Sequence, residues 1–108
     1  MAKFILLYKG PATPPADITP ELGARLMQAW DAWMGKVGDA LVDVGAPFAG
    51  SSTAVAGDGS TNSASDLNGY TIVEAPDINA AKTLVDGNPF LDDGTANFAV
   101  KIYELGTM

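Results

Sequence analysis

The residues that could do chemistry in this chain are few, and they concentrate in one stretch, Asn88-Pro89-Phe90-Leu91-Asp92-Asp93. Asn88 could orient a polar ligand, Phe90 could wall a pocket, and Asp92 or Asp93 could act as a base if burial raised its pKa toward neutrality. The structural alternative, which weighs more, makes Pro89-Phe90-Leu91 an apolar plug and Asp92-Asp93-Gly94 a solvated turn. Adjacent aspartates can also hold a hard cation, but the ligand spacing of a calcium loop is missing, so no metal is expected. Two aromatic groups add to the set. Trp30 and Trp33 could wall a planar ligand, although their positions suit core packing. Tyr8 could offer a hydroxyl to a substrate oxygen, or simply leave it at the rim of a sheet. Gly57-Asp58-Gly59-Ser60 resembles a phosphate loop only superficially: it lacks a Lys and the strand-to-helix context, and a hairpin turn is the better reading.

What is missing is as informative. The chain has 108 residues, no cysteine and no histidine. Zero Cys removes disulfides, thiolate metal sites and a Cys nucleophile. Zero His removes Ser–His and Cys–His catalysis and the usual neutral-pH base. The residues imply no cofactor. Six Lys and Arg stand against 13 Asp and Glu, a net charge of -7, which argues against nucleic acid as a partner. The longest apolar run, Phe4-Ile5-Leu6-Leu7-Tyr8, is far short of the roughly 20 residues of a spanning helix and of the h-region of a signal peptide. A single domain over 1–108 without a membrane partner, in the cytoplasm, is the resulting expectation.

These side chains must be placed by regular elements. Lys3 to Tyr8 reads as a strand that is apolar on both faces. Gly10-Pro11-Ala12-Thr13-Pro14-Pro15 breaks regular structure and forms a stiff connection. Thr19-Pro20-Glu21 starts a helix, with Thr19 as N-cap, Pro20 at the first position and Glu21 at the positive dipole end. Leu22, Leu26, Ala29, Trp30, Trp33, Val37, Ala40, Leu41 and Val44 then keep one helical stripe. This phase predicts one long helix ended by Gly45-Ala46-Pro47. Ser52 to Ala56 reads as a weak strand and Gly69 to Ala75 as a clear one. Asp77 caps a shorter helix with Ile78, Ala81, Leu84 and Val85 inward, closed by Gly87. Asn97 to Leu105 is the last strand.

The order β-α-β-β-α-β predicts an α+β, ferredoxin-like fold: a four-stranded antiparallel sheet with both helices on one face. Its other face would carry, depending on phase, Phe4, Leu6, Tyr8, Ile72 and Val100 or their neighbours. A patch of that size calls for cover, and a second copy packed sheet against sheet is the simplest solution. A homodimer is therefore expected.

The chain also resembles the YCII-related family of the dimeric α/β-barrel superfamily. The matching pieces are Lys3-Phe4-Ile5-Leu6-Leu7-Tyr8, Ala29-Trp30-x-x-Trp33, and the run from Gly38 through Asp43 to Pro47. Gly69-Tyr70-Thr71-Ile72-Val73-Glu74-Ala75, Gly87-Asn88-Pro89-Phe90-Leu91 and Val100-x-Ile102-Tyr103-Glu104-Leu105 complete the pattern. The resemblance implies two ferredoxin-like protomers with sheets face to face and a cleft for a small molecule. A few relatives in that superfamily act on lactones or chlorinated aromatics, with a histidine and an aspartate as acid–base pair. The position of Asn88 is His in many members, and Asn cannot shuttle a proton near neutral pH. Three functions follow as expectations. The first is a small protein that binds or transforms a lactone- or phenol-like molecule near Asn88–Asp93, with Tyr8, Trp30, Trp33, Asn88 and Phe90 lining the site. The second is a non-catalytic dimeric accessory module, and the third a cofactor-free monooxygenase.

Overall fold

The computed structural model describes residues 1–10, 19–48, 51–64, 67–91 and 98–106. The expected stiff connection after Gly10 and the start of the last strand at Asn97 lie outside them.

Strand β1 (Ala2–Lys9) leads to helix α1 (Pro20–Val37). Strand β2 (Leu41–Pro47) follows, then a small hairpin of β3 (Ala54–Val55) and β4 (Thr61–Asn62). Strand β5 (Leu67–Ala75), helix α2 (Ile78–Leu84) and strand β6 (Ala99–Leu105) complete the chain. The main sheet has four strands in the order β2-β5-β1-β6, and its pairings are antiparallel. This is the ferredoxin-like arrangement, with β1 and β5 central.

The helix starts follow the local chemistry. The Thr19 hydroxyl accepts from the Leu22 amide at 3.1 Å, and Pro20 opens α1. The Asp77 carboxylate accepts from the Ala80 amide at 2.8 Å. Each satisfies an amide that the first helical turn leaves unpaired.

The end of α1 corrects the expected long helix. It stops at Val37, because Gly38 takes φ 59° and returns its N–H to the Met34 carbonyl. A short 3-10 turn, Gly38–Ala40, then feeds β2. Leu41-Val42-Asp43-Val44 happens to extend the helical stripe, yet its β-branched content suits a strand. Leu41 does pack on the core, while Val42 and Val44 are exposed. The second strand of the sheet is thus Leu41–Pro47, not Ser52–Ala56. That weaker segment supplies only the two-residue arm β3.

Side-chain phase decides what each face of the sheet does. Phe4 lies opposite Val73, and Leu6 lies between Thr71 and Ile102. Phe4, Leu6 and Val73 are fully buried against Trp33 and Val37 of α1 and Ala81 and Val85 from the α2 end. Burying a Phe or Leu side chain stabilises by about 1.5–3 kcal/mol. The helix-covered face is therefore the Phe4–Leu6–Tyr8 face, and Val100 joins it. The opposite face carries Ile5, Leu7, Tyr70 and Ile72, half-buried, with Tyr103 exposed beside Ile5. Ile78 departs from expectation: it is half exposed, and Ala81 is the residue α2 buries.

One close contact shapes β2. The β2–β5 register shifts between Leu41 and Asp43 and again between Asp43 and Ala46. Gly45 sits in the second shift at φ 77°, and a Cβ there would lie 1.7 Å from the Tyr70 carbonyl oxygen. Only glycine fits. Gly35, exposed in the last turn of α1, has open space around it. Opposite outcomes are expected in urea denaturation. Gly35→Ala raises stability by up to about 1 kcal/mol through helix propensity, whereas Gly45→Ala lowers it by roughly 2 kcal/mol or more.

Candidate functional site

Four of the five residues expected to line a ligand site meet at one end of the covered sheet face. Tyr8 comes from the end of β1, Trp30 from α1, Asn88 from the turn after α2, and Phe90 from the 3-10 turn Pro89–Leu91. The Tyr8 ring stands edge-on to Trp30 at 5.5 Å between centroids and tilted against Phe90 at 5.2 Å. Phe90 in turn meets Phe98 edge-on at 5.2 Å. Edge-to-face aromatic pairs at such separations add to the burial of the rings themselves.

Trp33 plays a different part. Its ring packs edge-on against Trp30, but the residue is buried and its Nε1–H donates to the Leu84 carbonyl at 2.9 Å. It ties α1 to the end of α2 and backs the cluster without facing into it.

The loop that carries Asn88 is built by backbone geometry. Gly87 takes φ 82°, which turns the chain out of α2, and the Asn88 amide donates to the Val85 carbonyl at 2.9 Å. The Asn88 Oδ1 accepts from the Phe90 amide at 2.9 Å, an Asx turn that fixes the side chain. Asn88 is 2% exposed and Pro89 is buried, and Leu91 packs on the core. The segment Pro89-Phe90-Leu91 thus anchors the loop and also presents one aromatic ring to Tyr8.

A polar chain runs beneath the rings. Asn88 Nδ2 donates to the Tyr8 hydroxyl at 3.4 Å. That hydroxyl lies 2.7 Å from the Thr71 hydroxyl, and Thr71 Oγ1–H donates to the Val44 carbonyl at 3.0 Å. Thr71 was absent from the sequence-derived candidates. Its signal was the alternation Gly69, Thr71, Val73, Ala75, which puts a hydroxyl on the buried face of β5. Strand propensity alone explains a Thr there and so hides it.

The described polar cluster is neutral. Burial pushes the Tyr8 hydroxyl above its ordinary value of 10.0, and the bonds from Thr71 and Asn88 only partly offset that. Tyr8 therefore remains a phenol at neutral pH, and neither Asn88 nor Thr71 can accept a proton there. The arrangement can position a polar group against an aromatic wall; among the described residues Tyr8, Thr71 and Asn88 supply no general base. The catalytic candidates Asp92 and Asp93 lie outside the described residues. Among the described residues no cluster of three acidic side chains could hold a metal, and no helix is long and apolar enough to cross a membrane. Asp58 has a purely local role: its Oδ1 accepts from the Ser60 amide at 2.9 Å and from the Ser60 hydroxyl at 2.6 Å. Those bonds hold its pKa down and close the β3–β4 turn.

The buried phenol has a consequence for stability. Above its ordinary value the unfolded chain releases the Tyr8 proton while the folded chain retains it, so stability falls as pH rises. Urea titrations from neutral to strongly alkaline pH are expected to show this decline in the wild type. In Tyr8→Phe the alkaline decline is shallower, and stability at neutral pH is lower, because Thr71 and Asn88 lose their shared partner.

No family model matches the chain, and no curated protein matches it. A similar solved structure is the 5-chloro-2-hydroxyhydroquinone dehydrochlorinase (TftG) from Burkholderia phenoliruptrix AC1100 in complex with 2,5-dihydroxybenzoquinone. The two share 18% sequence identity at a TM-score of 0.57, over 96% of this chain and 93% of that one. At that identity the likeness is one of fold, and it agrees with the ferredoxin-like topology of the sheet.

Proposed function

We propose that this chain is a YCII-related protein of the dimeric α/β-barrel type that binds a small planar organic molecule, phenol- or lactone-like, beside Tyr8, Trp30, Asn88 and Phe90. The observation that carries the reading is the convergence of an aromatic wall and a buried polar chain from four separate segments. Ligand sites combine a mostly apolar lining with a few fixed polar groups in this way. The dehydrochlorinase of similar fold, by its name, acts on a hydroxylated aromatic, and its structure holds a dihydroxybenzoquinone. That supports a planar oxygenated ligand as the class to test. Binding and orientation are the primary role, since Asn88 cannot carry a proton. If turnover accompanies binding, Asp92 and Asp93 are the candidates for its base.

The protein acts as a cytoplasmic homodimer through the open sheet face. Ile5, Leu7, Tyr70 and Ile72 form its apolar centre. Charges of both signs share that face: Lys3 lies opposite Glu74, and Lys101 lies opposite Leu7. A face carrying both signs can be complementary to itself under a two-fold axis.

Thermal-shift measurements with phenols, hydroquinones and aromatic lactones test the ligand reading. A rise in melting temperature with at least one of them is expected, lost or much reduced in Trp30→Ala and Asn88→Ala. Failure of every compound to move the wild type returns the chain to the role of a non-catalytic accessory module. Oxygen uptake with the bound hydroquinone would instead favour the monooxygenase reading.

Sedimentation equilibrium tests the dimer separately. A particle of twice the 11.1 kDa chain mass is expected, and Leu7→Asp, which puts a charge at the centre of the open face, is expected to shift it toward the single-chain mass. A wild-type particle of single-chain mass at micromolar concentration refutes it.

A further inference from the structure

We infer that Thr71 is a positioning residue that fixes which way the Tyr8 hydroxyl points, and that it thereby selects neutral hydroxylated aromatics over their ionised or O-methylated forms. This inference rests on the reading that a small molecule binds beside Tyr8 and Asn88.

The direction of the polar chain follows from counting protons. A threonine hydroxyl has one proton. In Thr71 that proton goes to the Val44 carbonyl, so the 2.7 Å contact with Tyr8 must use the Tyr8 proton, with Thr71 accepting. The Tyr8 oxygen then has no proton left for a ligand. It already accepts one bond from Asn88 Nδ2, and it can offer only its remaining lone-pair density. Asn88 is in the complementary state. Its Oδ1 is engaged by the Phe90 amide, and its Nδ2 carries a second proton beyond the one given to Tyr8. The pair, 6% and 2% exposed, therefore sets an acceptor beside a donor.

The direction originates in the β2 irregularity. The β2–β5 register is broken between Asp43 and Ala46, where Gly45 passes against the Tyr70 carbonyl. Val44 lies within that break, and its carbonyl takes the Thr71 hydroxyl as donor. A backbone carbonyl cannot reverse its role, so Thr71 cannot either.

A phenolic hydroxyl fits an acceptor–donor pair, because it donates one proton and accepts another. A phenolate or a methyl ether has only lone pairs on that oxygen, and the Tyr8 oxygen would face them unfavourably. Among the described residues no Lys or Arg side chain hydrogen-bonds to Tyr8, Thr71 or Asn88, so nothing in the cluster neutralises an anion. The net charge of -7 adds a general bias against anionic ligands.

The test is calorimetric titration with two probe pairs: 4-nitrophenol below and above its own ionisation, and hydroquinone against its dimethyl ether. Wild type is expected to favour the neutral phenol over the anion, and hydroquinone over the ether, by roughly 3- to 10-fold, the effect of one uncharged hydrogen bond. Thr71→Val frees the Tyr8 proton to point at the ligand, so both preferences are expected to shrink to parity or reverse, and Thr71→Ser to restore them. A purely structural role for Thr71 would weaken all four probes together and leave the ratios alone. Unchanged ratios in Thr71→Val, or a wild type that binds neutral and ionised forms equally, overturn the inference while the ligand site stands. If none of the four probes binds, the site reading falls and the inference with it. If Thr71→Val does not fold, the same ratios are read in Thr71→Ala, whose missing hydroxyl frees the Tyr8 proton in the same way.

Discussion

The structure depends above all on the register of β1 between its two neighbours. Side chains on a strand alternate faces, so a slip of one residue would exchange every one of them. In the observed register Phe4, Leu6 and Tyr8 face the helices, and Ile5 and Leu7 face away. A one-residue slip would turn Phe4 and Leu6 out of the core and carry Tyr8 away from Asn88 and Thr71. Core, candidate site and open face are thus set by one pairing choice. The two apolar faces of β1 do not by themselves distinguish the alternatives. Discrimination comes from the small residues on the covered side: Ala75 and Ala81 share the buried cluster with Phe4 and Trp33, and Gly69 lies opposite Tyr8 where the Ala46 carbonyl comes close.

Three polar side chains at one end of an otherwise apolar core need a physical account. Each costs desolvation energy when buried, which its hydrogen bonds offset. Among the described residues no buried side-chain polar atom lacks a partner, so Tyr8, Thr71 and Asn88 each have at least one bond to offset that cost. An apolar trio of similar shape could hold the same elements at no loss in stability. Stability alone therefore gives no reason for this cluster. Its interdependence does set a condition: removing one member leaves two others unpaired, and the cost of each change is shared.

Much of the fold was legible because local chemistry and tertiary structure agree. Thr19-Pro20 and Asp77 start helices as their types require, Gly87 turns the chain, and Gly57-Asp58-Gly59-Ser60 closes a hairpin. The second strand was not legible because two periodicities coincide. Leu41 and Val44 fall on the extended stripe of α1, and a pattern sampled over so few residues fits period 3.6 as well as a bulged strand. Gly38 carried the deciding information, in a backbone angle rather than in a side-chain type. At the site, Tyr8, Trp30, Asn88 and Phe90 were legible as residue types worth watching. Their convergence depends on contacts across 82 positions of sequence, from Tyr8 to Phe90, and no local pattern encodes that. Thr71 was hidden for a related reason: one threonine in a β-branched strand is unremarkable until its hydroxyl is seen between Tyr8 and Val44.

The missing histidine acquires a positive meaning in this setting. An imidazole in place of Asn88 could carry a proton and change charge near neutral pH. Asn88 instead gives the loop a fixed acceptor for the Phe90 amide and fixed donors for its surroundings, whatever the pH. The rest of the cluster is equally insensitive, since the Tyr8 hydroxyl is held protonated by burial and Thr71 does not titrate. A site of this composition can discriminate only by shape and by the pattern of donors and acceptors it presents. Both are set by the backbone, through the Asx turn at Asn88 on one side and the break in β2 at Gly45 on the other. Any proton transfer beside this trio would have to draw on the ligand itself or on a group outside it, such as the proposed base Asp92 or Asp93, because Tyr8, Thr71 and Asn88 can only hold a pattern of donors and acceptors.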